Sequence, residues 1–299
     1  MKLGIISDLH IRSHIPNINK ENINKYIKKI FNNNIDIDLD IIIISGDISE
    51  DNNNIILFFK ELIKVFPEVK ILFTHGNHEM WDHISKNNVN TIKLMIMFEE
   101  NKNISNLKKE MEKLKSNKSS YKKIKELKNS LKDFKNLYYL DGETITINNK
   151  KILGIPMWYD FSYGIKNFKL SIDEILDLWK NYMYDSELIF WDEEQFNPIK
   201  YFSKQYKKIK NLFKKEKPDI VFSHVGPIVP KNIPEKWKNA STGFYFFDGK
   251  ELFDIHQPDL WIFGHTHDKY DFKYKNTRMI CNPYGYRREK NNYVKIIEI

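Results

Sequence analysis

The chain of 299 residues has almost no cysteine and no long apolar run. Its single cysteine, Cys281, excludes an intrachain disulfide, and nothing in this usage indicates an oxidising compartment. No uninterrupted apolar run approaches the roughly 20 residues that span a bilayer. The apolar run at the N-terminus is too short for a signal peptide, and Asp8 interrupts it. We therefore expect a soluble, cytoplasmic protein without a membrane partner.

The net positive charge of the chain comes from one segment. The net charge is +8, and residues 102–135, here called the Lys-rich segment, hold twelve lysines against four acidic residues. The remainder has 36 basic and 36 acidic residues and is neutral. A nucleic-acid-binding role for the whole surface is therefore not favoured. The Lys-rich segment itself has three open interpretations: a solvated helix surface, which we favour, a lid or oligomer contact, and a nucleic-acid contact.

Strands and helices alternate in the first 75 residues. Apolar runs over Lys2–Ser7, Asp40–Ser45 and Val69–Thr74 predict buried strands. Apolar residues at helical spacing predict helices over Asn22–Phe31 and Ile55–Phe66. This alternation indicates an α/β fold with a largely parallel sheet. Further strands are predicted at Leu137–Leu140, Thr144–Ile147, Lys151–Ile155, Asp219–Ser223 and Leu260–Phe263, a helix at Tyr201–Lys215, and a closing β meander at Asp271–Tyr274, Arg278–Cys281 and Tyr293–Ile297.

The Lys-rich segment carries two amphipathic repeats. Each repeat places its apolar residues at offsets 0, 3, 7 and 10, and a polar stretch separates the two repeats. The repeats are Ile104, Leu107, Met111 and Leu114, followed by Ile124, Leu127, Leu131 and Phe134. We expect a helical hairpin over residues 102–135, inserted into a single domain that spans residues 1–299.

Polar clusters follow five of the predicted buried strands. In chain order they are Asp8-Leu9-His10, Gly46-Asp47-Ile48-Ser49-Glu50, Gly76-Asn77-His78-Glu79, His224 and Gly264-His265-Thr266-His267. In open α/β sheets the carboxyl ends of the strands form the ligand crevice, so we expect the five clusters to converge there.

The residue types in these clusters favour a metal site. Imidazole, carboxylate and amide groups without cysteine suit Mn, Fe, Zn or Ni in five- or six-coordination better than a tetrahedral structural zinc. The candidate ligands are too many for one ion, and a carboxylate that bridges two ions would account for the surplus. Two such ions activate water and hold a phosphoryl group for in-line displacement.

The ordered set of five clusters resembles the calcineurin-like metallophosphoesterase superfamily. The resemblance runs from residue 8 to residue 267 and implies a four-layer α/β/β/α sandwich. It also implies two ligand sets that meet at one bridging carboxylate: Asp8, His10 and His267 for one ion, Asn77, His224 and His265 for the other, and Asp47 between them. In this family pattern His78 acts on the leaving oxygen rather than on a metal, and Glu50 stands where a carboxylate, often Asp, orients that histidine.

The chain departs from one branch of this superfamily. Protein serine/threonine phosphatases carry arginines in two of these motifs, where this chain has Asp51 and His75 instead. The chain is more similar to small bacterial or phage metallophosphoesterases. Arg12 and Trp158 are candidate substrate contacts, the first through bidentate binding of a phosphate oxygen and the second through stacking.

We therefore expect a phosphoesterase with two divalent ions, most plausibly manganese, in which a hydroxide that bridges the ions attacks a phosphate mono- or diester. The substrate is expected to be a phosphorylated small molecule or a nucleotide. Two alternatives stay open: a nuclease or nucleic-acid end-processing phosphatase, and a non-catalytic scaffold on the same fold. The oligomeric state has no signal in the sequence.

Overall fold

The computed structural model describes residues 1–82, 119–191 and 194–299, and its strands form two large sheets. The strands of the first sheet are β1 (Lys2–Ile6), β2 (Ile41–Ser45), β3 (Lys70–Thr74), β4 (Leu137–Tyr139) and β13 (Lys295–Glu298). They lie in the order β13-β1-β2-β3-β4, and β1 to β4 are parallel. The predicted parallel sheet is therefore present.

The second sheet is mixed. Its strands are β5 (Glu143–Ile147), β6 (Lys150–Gly154), β9 (Ile220–Phe222), β10 (Leu260–Phe263), β11 (Tyr270–Tyr274) and β12 (Thr277–Cys281). They lie in the order β11-β12-β10-β9-β6-β5, with the four central strands parallel and the two edge strands antiparallel. A small hairpin of β7 (Phe190–Trp191) and β8 (Glu194–Gln195) stands apart from both sheets.

Ten α-helices are assigned in the part of the chain that the structure describes. They are α1 (Ile11–His14), α2 (Lys20–Ile30), α3 (Asn52–Val65), α4 (Asn77–Met80), α5 (Ser120–Leu131), α6 (Ser162–Phe168), α7 (Ile172–Tyr182), α8 (Asp185–Leu188), α9 (Pro198–Glu216) and α10 (Lys250–Ile255). None of these described helices combines the length and apolar character needed to cross a membrane. Residues 160–198, for which the sequence made no prediction, contain α6 to α8.

The run of four isoleucines in β2 shows how the layers are built. Side chains alternate across a strand, so Ile41 and Ile43 enter the core between the two sheets, while Ile42 and Ile44 face the helices on the outer side. Helices α2, α3 and α5 cover that outer face, and α7, α9 and α10 cover the outer face of the second sheet. The result is the expected four-layer α/β/β/α sandwich.

The predicted closing meander is wrong in its last strand. β11 and β12 form an antiparallel pair, but β13 crosses to the first sheet and pairs antiparallel with β1. Ile297 then lies opposite Leu3 and enters the core between the sheets. This pairing covers the edge of β1, which would otherwise present unpaired backbone groups. Periodicity identifies a strand but not its partner.

The Lys-rich segment is joined to the core through its second helix. The first predicted helix of the hairpin lies outside the described residues. The second is α5, in which Leu127 and Leu131 are 0% and 1% exposed and pack with the helices of the first sheet. On another side of α5, the ammonium of Lys123 donates hydrogen bonds to the carbonyls of Glu50 and Trp81. α5 is thus an integral part of the fold.

Replacing Leu127 with alanine tests this placement of α5. We expect the free energy of unfolding to fall by about 2–5 kcal/mol, because the change removes a buried side chain and leaves a cavity. Lys122→Ala on the exposed face of the same helix is the matched control and is expected to stay within about 0.5 kcal/mol of wild type. Urea denaturation measures both. Equal stability of the two variants would mean that α5 is a detachable surface helix.

Candidate active site

The predicted polar clusters converge where the carboxyl ends of β1, β2, β3, β9 and β10 meet. Within the described residues, three groups of side chains place their ligand atoms within 4.8 Å of one another. These groups are Asp8, His10 and His267; His10, Asp47 and His78; and Asp47, His224 and His265. Asn77 joins the third group through its side-chain oxygen. All seven predicted ligand residues therefore lie in one site.

The first group is centred on two histidines. The Nε2 atoms of His10 and His267 lie 2.9 Å apart, and His267 Nε2 is 3.5 Å from an oxygen of Asp8. Two imidazole nitrogens and a carboxylate oxygen that point at one another form a donor set for a divalent cation.

The second group is centred on His224. Its Nε2 atom lies 3.0 Å from the Asn77 side-chain oxygen, 3.1 Å from His265 Nδ1 and 3.4 Å from Asp47 Oδ2. The donor set again mixes imidazole, amide and carboxylate.

Asp47 lies between the two groups. Its Oδ2 atom is 3.9 Å from His10 Nε2 on one side and 3.4 Å from His224 Nε2 on the other. Its Oδ1 atom accepts a hydrogen bond from the backbone N–H of His78 at 3.0 Å. This is the position that a bridging carboxylate requires.

Hydrogen bonds outside the site orient its imidazoles. His224 Nδ1 lies 2.8 Å from the carbonyl of Ser45, and His265 Nε2 lies 3.0 Å from the carbonyl of Phe244. A carbonyl only accepts, so the proton of each ring must be on that outer nitrogen. When these rings are neutral, the inner nitrogens, His224 Nε2 and His265 Nδ1, present lone pairs, as metal ligands do.

Two carboxylates that the sequence analysis missed complete this outer layer. Glu289 contacts His267 Nδ1 at 2.8 Å. Asp185 accepts a hydrogen bond from the Asn77 amide nitrogen at 2.8 Å and thereby turns the amide oxygen into the site. Asp185 also accepts from Trp81 and Tyr159. Neither acid follows a predicted buried strand, so the rule that located the other residues could not find them.

Glu79 holds together the two loops after β2 and β3. Its carboxylate is fully buried and accepts the backbone N–H groups of Asp47, Ile48 and Gly76 at 2.6–2.9 Å. Burial and the nearby Asp47 charge raise the pKa of Glu79 to about 7. This acid positions the site from behind and lies outside the three ligand groups.

The backbone is strained at five of the seven candidate ligands. Asp8, His10, Asp47, His265 and His267 all have φ between +39° and +70°, the left-handed region that non-glycine residues rarely adopt. Such residues persist only where the surrounding structure holds them, and they cluster at functional sites.

Two glycines allow the loops to approach closely. A Cβ on Gly46, which has φ +86°, would lie 2.6 Å from His224 Nδ1. A Cβ on Gly76 would lie 2.2 Å from Asp47 Oδ1. Any larger residue at either position would displace a candidate ligand.

The electrostatics of the site favour a cation. Although burial alone would raise the pKa of Asp47, the imidazoles of His224 and His78 hold it well below its usual range. Burial alone would lower the pKa of His224, but Asp47 and then Asp8 raise it to about 10. The buried carboxylates thus draw a proton onto His224, at the position where a divalent ion would supply the same compensation.

His78 lies at the mouth of the site. Its Nε2 atom is 3.8 Å from Asp47 Oδ2 and 3.1 Å from the hydroxyl of Tyr286, and its ring packs on Trp81 at 3.6 Å between centroids. Burial lowers the pKa of His78 to about 4. Tyr286 also stacks on His10, so its ring closes one side of the site.

The remaining predicted residues, Glu50, Arg12 and Trp158, lie outside the three ligand groups. Glu50 forms an ion pair with Arg12 at 3.0 Å, and no hydrogen bond joins Glu50 to His78 among the described residues. The nearest partner of His78 Nε2 is instead the Tyr286 hydroxyl. Trp158 is 2% exposed and packs in the core against Tyr159, so the prediction that it contacts substrate is wrong.

A cavity of about 270 Å³ opens over the site and is bordered mainly by aromatic rings. Among its described lining residues are Trp81, Tyr184, Trp237, Tyr245 and Tyr286. The described lining contains no lysine or arginine, and its acidic members include Asp47, Asp268 and Glu289. Apart from histidine, the described lining therefore offers no cationic side chain to an anionic substrate.

Replacing Glu289 with alanine tests the outer layer. We expect about 10- to 100-fold weaker metal binding, because His267 loses the carboxylate that orients its ring. Glu298→Ala, which removes an exposed acid on β13, is the control and should bind metal as wild type does. Titration against a competing chelator measures both affinities. Unchanged affinity in Glu289→Ala would remove His267 from the ligands or Glu289 from its support.

Comparison with known proteins identifies the family. The chain matches the calcineurin-like phosphoesterase family over residues 1–269. Its structure is similar to that of the phosphopantetheinyl hydrolase PptH from Mycobacterium tuberculosis, with a TM-score of 0.64 and 14% identity over 99% of this chain and 95% of that chain. It is also similar to a dimetal phosphatase from Danio rerio, with a TM-score of 0.39 and 12% identity over 94% and 86% of the two chains.

No curated protein matches the chain. At 14% identity the likeness to PptH establishes a shared fold and does not extend to its substrate. The family match covers most of the chain and agrees with the convergence of histidines, carboxylates and an amide described above. The chain therefore belongs to the calcineurin-like phosphoesterase family, whose members are hydrolases that use divalent metal ions.

Proposed function

We propose that this protein hydrolyses a phosphate ester at a centre that holds two divalent ions, with manganese as the most plausible metal. The observation that carries the proposal is the position of Asp47 between two separate donor groups. A single ion would use one group and leave the other as a buried cluster of imidazole and carboxylate groups without a purpose. The donor types suit manganese, iron, zinc and nickel.

The residues that would hold the ions follow from the two groups. Asp8, His10 and His267 would hold the first ion, and Asn77, His224 and His265 would hold the second, with Asp47 shared between them. When bound, the two ions neutralise charge on the phosphoryl group and activate water at neutral pH. The protein contributes rigid positions for these ligands.

His78 is the residue that we assign to the leaving oxygen. It lies beside Asp47 but on the cavity side, where Trp81 and Tyr286 hold its ring. Its ring N–H can donate to the ester oxygen as negative charge develops there. Arg12 and Glu50 form a pair near this position, and we assign Glu50 to the electrostatic support of His78.

The cavity favours a diester with an aromatic or apolar group. With the two ions bound to Asp47 and its neighbours, the rest of the described lining adds no lysine or arginine for the second charge of a monoester dianion. A diester has one charge fewer, and its second substituent can pack on the rings of Trp81, Tyr184 and Trp237. Nucleotide-like diesters carry both features.

Hydrolysis of a matched pair of substrates tests the proposal. Metal-loaded protein should hydrolyse bis-p-nitrophenyl phosphate faster than p-nitrophenyl phosphate, because the second ring finds an aromatic wall and the second charge is absent. His78→Ala should lower turnover on the order of a hundredfold to a thousandfold and keep its metal content. His256→Ala, at a histidine bonded to the Pro218 carbonyl away from the site, is the control and should keep wild-type turnover.

The outcomes separate the alternatives. Loss of metal in His78→Ala would make His78 a ligand, which its grouping with His10 and Asp47 allows. A preference for the monoester would overturn the argument from the cavity lining. Absence of turnover on both substrates with two ions bound would favour the non-catalytic scaffold.

Replacing Asp47 with asparagine tests the bridge. Both ions should bind more weakly and should be lost together, because one charged carboxylate is removed from two sites at once. Asp82→Asn, at a carboxylate that accepts from the backbone of Ser119 outside the three donor groups, is the control and should keep both ions. Metal analysis after stepwise chelation measures the content. Loss of one ion with retention of the other would restrict Asp47 to a single ion.

A further inference from the structure

A second cavity, of about 600 Å³, lies between helices α5 and α9. None of its lining residues lines the cavity over the metal site. Its lining includes His75 and Met80, which flank in the sequence the active-site residues that follow β3. We call this cavity the lysine groove.

Each of the two helices presents one complete face to the lysine groove. From α5 the lining residues are Tyr121, Ile124, Lys125 and Lys128, and from α9 they include Lys204, Lys207, Lys208 and Asn211. Both sets have the spacing i, i+3, i+4, i+7, which places residues on one side of a helix. The two faces thus form opposite walls.

The walls carry an excess of positive charge. Among the described residues that line the groove, five are lysines and one, Asp141, is acidic. Lys128 pairs with Glu143, and Lys208 lies 4.0 Å from an oxygen of Asp141. Lys125, Lys204 and Lys207 form no ion pair among the described residues, so their charges are available to an anion.

Aromatic rings continue along the same cavity. Tyr121 and Trp191 have centroids 5.7 Å apart, and Trp191 and Tyr201 have centroids 5.3 Å apart. Tyr121 is 48% exposed, so a face of its ring is open to a ligand. The sequence of the Lys-rich segment contains few aromatics, and two of these three rings come from elsewhere in the chain.

A buried amide provides a specific polar contact. Gln205 lines the groove and is 8% exposed, and its Nε2 atom donates to the Tyr201 hydroxyl at 3.1 Å. Its Oε1 atom is buried and has no hydrogen-bond partner among the described residues. A buried acceptor without a partner is costly, and rotation of the Gln205 amide towards the groove would let a donor group on a ligand remove that cost.

From these features we infer that the lysine groove binds a nucleotide unit, in which lysines contact the phosphate, an aromatic ring stacks on the base and Gln205 accepts from the base. Lysines and aromatic rings along one groove are the combination that recognises nucleotides without duplex structure. An inorganic anion would leave the rings and Gln205 without a role. A volume of about 600 Å³ is enough for one nucleotide. Free nucleotides and single-stranded nucleic acid share this chemistry.

Binding of adenosine monophosphate tests the inference, measured by calorimetry on the metal-loaded full chain carrying His78→Ala to suppress hydrolysis. The double variant Lys204→Ala/Lys207→Ala should weaken binding by about tenfold or more, since it removes two charge-assisted contacts. Lys214→Ala/Lys215→Ala removes two exposed lysines of the same helix outside the groove and should bind as the parent does.

Two single changes test recognition of the base without altering charge. Tyr121→Ala, at an exposed position, should weaken binding by about fivefold or more through loss of stacking. Gln205→Leu should weaken binding of adenosine monophosphate and leave binding of inorganic phosphate unchanged. Thermal melting of each variant separates these effects from misfolding, and Tyr121→Ala still tests the inference if Gln205→Leu fails to fold.

The results decide both the site and the source of the ligand. No binding, equal loss in both lysine pairs, or equal affinity for adenosine monophosphate and inorganic phosphate would overturn the inference. Tighter, strongly salt-dependent binding of fluorescein-labelled oligo(dA) that the Lys204/Lys207 pair controls would identify single-stranded nucleic acid as the source. Equal affinity per site for monophosphate and oligo(dA) would identify a free nucleotide. Neither lysine pair lies at the metal centre, so the difference between the two pairs reports binding in the lysine groove, apart from any binding or turnover at the metal centre.

Discussion

The buried carboxylate of Asp47 is the constraint on which the rest of the site depends. It lies 1% exposed at the junction of two sheets, within 4 Å of the imidazoles of His10, His78 and His224. An isolated charge at such a depth is strongly unfavourable, so the surrounding structure must bring positive charge to it. Imidazoles do this in part. A pair of divalent ions would compensate the charge fully. We therefore regard the strand ends as a single arrangement that holds the Asp47 carboxylate and its ions.

The backbone around Asp47 adopts unfavourable conformations, and hydrogen bonds to buried carboxylates stabilise them. Five candidate ligands adopt left-handed backbone conformations, which are unfavourable for residues with a side chain. Glu79 offsets this by accepting four backbone N–H groups from the loops after β2 and β3. Glu289 and Asp185 then fix two further ligands, His267 and Asn77. The outer layer is therefore acidic, and it orients neutral ligands for a cation at the centre.

The sequence was sufficient wherever a short-range rule governs the structure. Polar residues directly after an apolar strand must lie at a sheet edge, so the convergence of Asp8, Asp47 and His224 could be predicted. It was insufficient where the partner is distant in the chain. Glu289 is 22 residues from His267, and Asp185 is 108 residues from Asn77, with no local pattern that links them. The predictions for β13 and for Trp158 were wrong for the same reason. Tertiary partners, not local spacing, decided which sheet β13 joins and that Trp158 is buried.

Helix α5 connects the two cavities. One side of it inserts Leu127 into the core, and Lys123 binds the carbonyls of Glu50 and Trp81, which border the metal site. Burial lowers the pKa of Lys123 to about 8, which shows how far its ammonium is withdrawn from water. Another side carries Tyr121, Lys125 and Lys128, which line the groove. A single helix thus forms a wall of the lysine groove and also supports the loop that carries Glu50.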